Sequence, residues 1–98
     1  MISDLREKMW VNNMFVEIVR LVRTDGVMTK HGKRVVYIYV IRDDTGECFM
    51  KVWLYNAQFN LDQLLKERNK IYIIKGYVKA IGIFIDVTFD YINFISLF

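Results

Sequence analysis

The stretch Asp43–Tyr55, DDTGECFMKVWLY, decides how the rest of the chain is read. It opens on Asp43-Asp44-Thr45-Gly46, a turn, because aspartate side chains bond the local backbone and glycine tolerates positive φ. From Glu47 to Tyr55 the residues alternate as in a strand. Cys48, Met50, Val52 and Leu54 form one set, compact and uniformly apolar, while Phe49, Lys51, Trp53 and Tyr55 form the other. A lysine is almost never fully buried unless paired, so the second set is expected to face outward. The competing reading of Trp53 is that its ring packs beneath a helix or the N-terminal segment.

Working back from this strand, Val35–Arg42 is strand-like throughout, with two tyrosines and five β-branched residues. Thr24–Arg34, TDGVMTKHGKR, reads as a loop or a strongly twisted hairpin connection, and Phe15–Arg23, FVEIVRLVR, as the first strand. Ser3 to Met9 is short and charged, and Ser3 or Asp4 can cap a brief helical turn. Working forward, the period changes: Ala57, Leu61, Leu64, Leu65 and Arg68 share one helical face, with Asn56 as cap. Ile71–Lys79 and Ile83–Ile92 then form two strands joined around Ala80-Ile81-Gly82. Three strands, a helix and two strands is the order of an all-β, five-stranded Greek-key barrel, the OB-fold, whose helix between strands 3 and 4 plugs one end. The expected layout is one domain over 1–98: a short lead-in, a barrel of about 14–92 and an apolar tail at 92–98. An α+β sandwich of the same elements is the alternative.

The bulk properties agree with one small domain. The chain has 98 residues, 54% of them hydrophobic, and no proline, which excludes a disordered chain. Its 14 Lys and Arg against 11 Asp and Glu give a formal charge of +3, which permits a nucleic-acid partner without demanding one. Cys48 stands alone, so no disulfide framework is expected, and its apolar strand points to an inert thiol in an intracellular protein. That setting is nuclear if the chain is eukaryotic and otherwise cytoplasmic. No apolar run is long enough to span a membrane. His31 has no second histidine to make a metal site with, and Asp43-Asp44 lacks the further acids of a two-metal centre. No glycine-rich phosphate loop or nucleophile elbow is present. No enzyme activity, metal or cofactor is expected.

What remains is a binding surface. Phe49, Lys51 and Trp53 suit single-stranded nucleic acid, since rings stack on bases and an ammonium meets phosphate. Lys75, Tyr77 and Lys79 on the fourth strand continue that wet face, although Tyr77 could instead seal the core edge. On the second strand Ile38, Val40 and Arg42 are assigned to the platform and Tyr37, Tyr39 and Ile41 to the interior. Ile83, Ile85, Val87, Phe89 and Tyr91 are the core set of the fifth strand. Phe84, Asp86, Thr88 and Asp90 are its exposed set, whose acids would repel phosphate. Lys30, His31, Lys33 and Arg34 make the densest positive patch, placed to contact phosphate beside the groove.

Three pieces, Ile2–Val22 (ISDLREKMWVNNMFVEIVRLV), Arg42–Trp53 (RDDTGECFMKVW) and Ile73–Phe84 (IIKGYVKAIGIF), resemble a known family. It is that of the small OB-fold single-stranded-DNA-binding proteins related to archaeal replication protein A, which includes the single-strand-binding subunit of the animal DNA-damage sensor complex. The resemblance covers about Ile2 to Phe89. It implies that Trp53 and Tyr77 match family aromatics near the DNA path, that Lys75 belongs to the same motif, and that Phe84 is a looser match. The chain departs from the family after Trp53, where Leu54-Tyr55 and a helical pattern replace acidic residues and a Pro-Gly loop.

The expected function is non-catalytic binding of single-stranded DNA, with RNA as a second possibility, in replication, repair or telomere maintenance. The alternative is a structural OB subunit that acts through protein contacts. Phe94, Ile95, Leu97 and Phe98 at the C-terminus and Trp10 near the N-terminus are the residues expected to meet a protein partner or a second copy.

Overall fold

Valine, isoleucine, phenylalanine and tyrosine, which suit a pleated and half-buried surface, dominate the strand-forming segments. The computed structural model describes residues 1–30, 32–54, 65–80, 82–87 and 95–97. Its strands are β1 (Trp10–Thr29), β2 (Gly32–Asp43), β3 (Gly46–Leu54), β4 (Lys70–Lys79), β5 (Gly82–Val87) and β6 (Ile95–Leu97), preceded by a 3₁₀ turn over Ile2–Asp4. The fold is all-β. Every pairing is antiparallel except that of β3 with β5, which is parallel. β1 pairs with β2, β2 with β3, β3 with β5, β5 with β4, and β4 again with β1, so five strands pair in a ring.

β1 is far longer than the expected Phe15–Arg23 because it serves two partners. Its first part, from Trp10↔Tyr77 to Glu17↔Lys70, lies along β4. Its second part, from Glu17↔Arg42 to Thr29↔Gly32, lies along β2. Of the two readings of Thr24–Arg34, the twisted hairpin is the observed one, and the second strand starts at Gly32 rather than Val35. The Thr29 hydroxyl donates to the Gly32 carbonyl at 2.8 Å, and Gly32 takes a φ of +110°, where other residues are strained. Beyond Val35, among the described residues, this arm pairs only with itself. Its polar side chains therefore resemble those of a loop although its backbone is paired.

The interior of the ring is one apolar cluster to which each of the six strands contributes, among them Ile18, Tyr39, Met50, Ile73, Ile85 and Ile95. Among the described residues no polar or charged side chain is buried. On β3 the alternation is as predicted: Met50, Val52 and Leu54 are buried, and Cys48 packs against them. Tyr39 and Ile41 are buried as assigned, with Tyr37 partly so. Phe89 and Tyr91 lie outside the described residues.

Two expectations change here. Residues 57–64 of the expected helix lie outside the described residues, and Leu65 to Arg68 form a bend and a turn rather than a helix. Backbone pairing explains the difference: Arg68 N–H donates to the Ile18 carbonyl at 2.7 Å and Ile18 N–H to the Asn69 carbonyl at 2.8 Å, which draws this segment into the β1–β4 ladder. At the C-terminus, Ile95 is not a partner residue. β6 pairs with β4 (Ile71↔Leu97, Ile73↔Ile95), and Ile95 is only 1% exposed. An apolar segment beside an unpaired strand edge gains both hydrogen bonds and burial by folding back. Phe94 and Phe98 lie outside the described residues.

The alternation of β1 and β4 breaks at one level. On β1 Val11 and Met14 are buried while Asn12 and Asn13 between them are exposed; on β4 Ile73 and Gly76 are buried while Ile74 and Lys75 are not. Asn13 sits at φ +53°. Both strands spend an extra residue at the same place, so the register is kept, with Val11↔Gly76 on one side and Met14↔Ile73 on the other. Asparagine tolerates that backbone conformation where a β-branched residue does not. Asn13→Val is expected to lower unfolding stability by about 1–2 kcal/mol, and Asn13→Gly to cost clearly less, measured by denaturant unfolding.

Candidate nucleic-acid interface

The outer face of the ring is built in cross-strand rows. Side chains directly opposite on neighbouring strands lie about 4.5–5.5 Å apart, so such a row is a continuous strip of surface. One row runs from Arg23 on β1 through Ile38 on β2, Lys51 on β3, Phe84 on β5 and Tyr77 on β4 to Trp10, back on β1. Its five inter-strand steps of about 4.8 Å give a strip of roughly 24 Å. The row below it holds Arg20, Val40, Phe49, Gly82 and Lys79, and the row above it Asp25, Val36, Trp53 and Asp86.

Rings and cations are interleaved along this surface. Trp10 and Tyr77 pack at 4.9 Å between centroids, and Trp53 and Phe84 at 5.3 Å. Lys75 Nζ lies 5.2 Å from the centre of the Trp10 ring, and Lys79 Nζ lies 6.0 Å from that of Phe84. Trp10, Lys75, Tyr77, Phe84 and Asp86 line a shallow groove. Trp10 and Phe49 offer the most open rings, 56% and 45% exposed. Gly82 lets β5 lie close to β3, since a Cβ at that position would lie 2.9 Å from the Phe49 carbonyl oxygen.

The structure redistributes several expected site residues. Phe49, Lys51, Lys75, Tyr77, Lys79 and Phe84 lie together on the outer face, and Trp10, expected at a partner surface, joins them. Reading the first strand from Phe15 hid Trp10; the alternation of Trp10 and Asn12 about the apolar Val11 was the available signal. Trp53 is half-buried. The Arg34 guanidinium lies 5.3 Å from its ring centre, so one face of that ring is covered. Arg34 itself is only 12% exposed and is ion-paired to Asp86, which removes it from the phosphate-contacting patch and neutralises the acid expected to repel phosphate. Arg42 also leaves the site. Its cross-strand neighbours Glu17 and Glu47 are both acids, and its Nε donates to Glu17 at 2.5 Å, which raises its pKa. Lys30 and Lys33 are exposed on the hairpin arm, well above the strip. His31 lies outside the described residues, and Leu97 is placed by its backbone pairing alone.

The N-terminal segment fixes Trp10 from both sides. Lys8 N–H donates to the Val78 carbonyl at 2.9 Å and Val78 N–H to the Met9 carbonyl at 2.8 Å, extending the β1–β4 ladder past Trp10. Ala80 N–H donates to Glu7 Oε1 at 3.2 Å, closing the β4–β5 turn. Farther back, Ile2 N–H donates to Asp43 Oδ2 at 2.7 Å and Ser3 N–H to the Thr45 hydroxyl at 3.0 Å. The Thr45 N–H and hydroxyl both donate to Asp43 Oδ1. The Asp43-Asp44-Thr45-Gly46 turn is thus a clasp for the N-terminus as well as a strand connection. On β3, burial and the nearby Asp43 carboxylate push the Cys48 thiol up to about 11, which leaves it protonated and unreactive near neutral pH.

No protein-family model matches the chain, and no curated protein matches it in sequence.

Burial alone would raise the Asp43 pKa, but the hydrogen bonds from Thr45 and Ile2 outweigh it and hold the carboxyl below its ordinary value. A carboxylate with a lowered folded pKa stabilises the fold fully above the unfolded value and loses that effect as pH falls through the folded one. Asp43→Ala is expected to cost about 1.5–3 kcal/mol at neutral pH, the range for hydrogen bonds to a charged group. The gap from the parent protein should narrow as pH drops below about 3.9, followed by denaturant titration.

Proposed function

We propose that this protein is a non-catalytic OB-fold module that binds single-stranded nucleic acid, DNA in the first place, across the strip from Arg23 to Trp10. The observation that carries the reading is the interleaving of rings and cations on one outer face: Lys75 over Trp10, Lys79 over Phe84, and Lys51 directly between Ile38 and Phe84. Stacking is sequence-tolerant because every base has a π-face, and lysines beside the rings are within reach of the phosphates that a stacked strand would carry. A five-strand ring that is antiparallel except at β3–β5 supports the OB reading. So does the neutralisation of Asp86 by Arg34, since it removes negative charge from the edge of the strip. Membership in the family related to archaeal replication protein A, and a place in replication, repair or telomere maintenance, belong to the same proposal.

The test is titration of labelled single-stranded DNA, single-stranded RNA and duplex DNA at two salt concentrations. Trp10→Ala is expected to weaken single-strand binding about 5- to 100-fold, the equivalent of losing one stacked base. Lys75→Ala should lower the slope of log affinity against log salt by about 0.7, one phosphate contact on a single strand. A parent protein with no single-strand affinity at low salt would overturn the reading in favour of a structural subunit. Binding unchanged by Trp10→Ala would overturn the placement of the strip.

A further inference from the structure

Trp10 and Phe15 are an odd number of residues apart on β1, as are Tyr77 and Tyr72 on β4. In regular strands each such pair would point to opposite faces. The offset at Asn13 and Ile74 puts all four rings on the outer surface. Phe15 pairs directly with Tyr72, their centroids are 5.0 Å apart, and they are 39% and 37% exposed. The ladder therefore presents two aromatic cross-strand pairs, Trp10–Tyr77 and Phe15–Tyr72, separated by about 16 Å at roughly 3.3 Å per residue. Between them lie the exposed amides of Asn12 and Asn13 and the ammonium of Lys75, opposite Asn12. Beyond the second pair Lys70 faces Glu17, whose carboxylate is bound by Arg42.

We propose that a bound single strand does not end at Trp10 but turns there and follows the β1–β4 ladder, with the Phe15–Tyr72 pair as a second stacking step. The inference rests on the single-strand reading and adds a direction and a longer footprint to it. Two observations favour a nucleic-acid strand as the occupant. The second pair continues the first along one ladder. The polar step between the pairs carries a cation and amides able to meet phosphate and base edges. A groove lined by Asn13, Phe15, Lys70, Arg42 and the acids Glu17, Asp43 and Asp44 adjoins the second pair; Arg42 binds Glu17 there, and Thr45 and Ile2 bind Asp43. A second protein copy is the poorer fit, since two partly exposed rings and two amides fall far short of the roughly 800 Å² per partner of a stable interface.

The experiment uses two thymidine oligomers, one of about 5 nucleotides that the strip alone can cover and one of about 12, within the span of single OB modules. The Phe15→Ala/Tyr72→Ala double variant is expected to bind the long oligomer about 5- to 10-fold more weakly than the parent and the short one within about twofold. Phe15→Leu/Tyr72→Leu keeps the apolar packing but removes both π-faces, and should show the same split if the alanine variant folds poorly. Long-oligomer binding equal to the parent's in the leucine variant overturns the proposal. A light-scattering mass that shows a parent dimer dissociated by either double variant also overturns it, by assigning the pair to a protein interface. Loss of all binding by the parent, or indifference of both oligomers to Trp10→Ala, would instead overturn the underlying single-strand reading.

Discussion

At Glu17 the first strand changes partner. Its backbone lies opposite Lys70 of β4 on one side and Arg42 of β2 on the other, so both halves of the sheet are joined through this part of β1. Following the cross-strand row from Arg23 around the ring returns to β1 at Trp10, thirteen positions earlier. A stagger of this kind is what a tilted sheet needs to close on itself. Closing requires β1 to bend sharply. The bend is built from register shifts between Ile18 and Arg20 and between Leu21 and Arg23, together with the positive φ of Asn13. The full outer strip depends on that closure, for Trp10 joins Tyr77, Phe84 and Lys51 only when β4 returns to β1.

Electrostatics on the outer face follow the same geometry. Asp86 is matched by Arg34, Glu17 by Arg42 and Asp25 by Arg23. Exposed pairs of this sort add little stability, but they cancel field locally. Lys51, Lys75 and Lys79 stand beside rings instead, so positive charge is placed along the aromatic strip. Arg34 also covers one face of Trp53. That ring then acts chiefly as a wall against Phe84, and the open rings at the two sides of the strip are Phe49 and Trp10.

What could be read from sequence depended on whether a charge broke the symmetry between two faces. On β3 a lysine lies among the alternating residues, and the inward and outward sets followed at once. On β2 both sets are almost wholly apolar. Val36 and Ile38 are buried although they lie on the outer face, opposite Trp53 and Lys51. Alternation assigns the face there but not the burial, which depends on the large neighbours lying over it. On β1 and β4 the paired offset at Asn13 and Ile74 defeats simple alternation. It places Ile71 and Ile73 inside while Lys75, Tyr77 and Lys79, of the same parity, lie outside. The hairpin arm read as loop for a related reason: a two-stranded ribbon wetted on both faces has no need of apolar residues, so its composition carries little strand signal.

The arrangement of lysines over rings bears on how such a surface could bind without strong sequence preference. The Lys75 and Lys79 ammonium groups lie over the Trp10 and Phe84 rings, an exposed contact worth about 0.5–1 kcal/mol. A base stacking on the same ring contributes about 1–3 kcal/mol, so displacement of the ammonium is favourable. The displaced lysine has a flexible stem and stays within reach of the phosphate that accompanies the base. The cation shields an apolar ring that would otherwise favour self-association, and on the proposed reading it would also neutralise the backbone of a bound strand. On the proposed reading, each ring–lysine pair would respond to the presence of a stacked nucleotide rather than its identity, and binding by several such units would weaken steeply with salt.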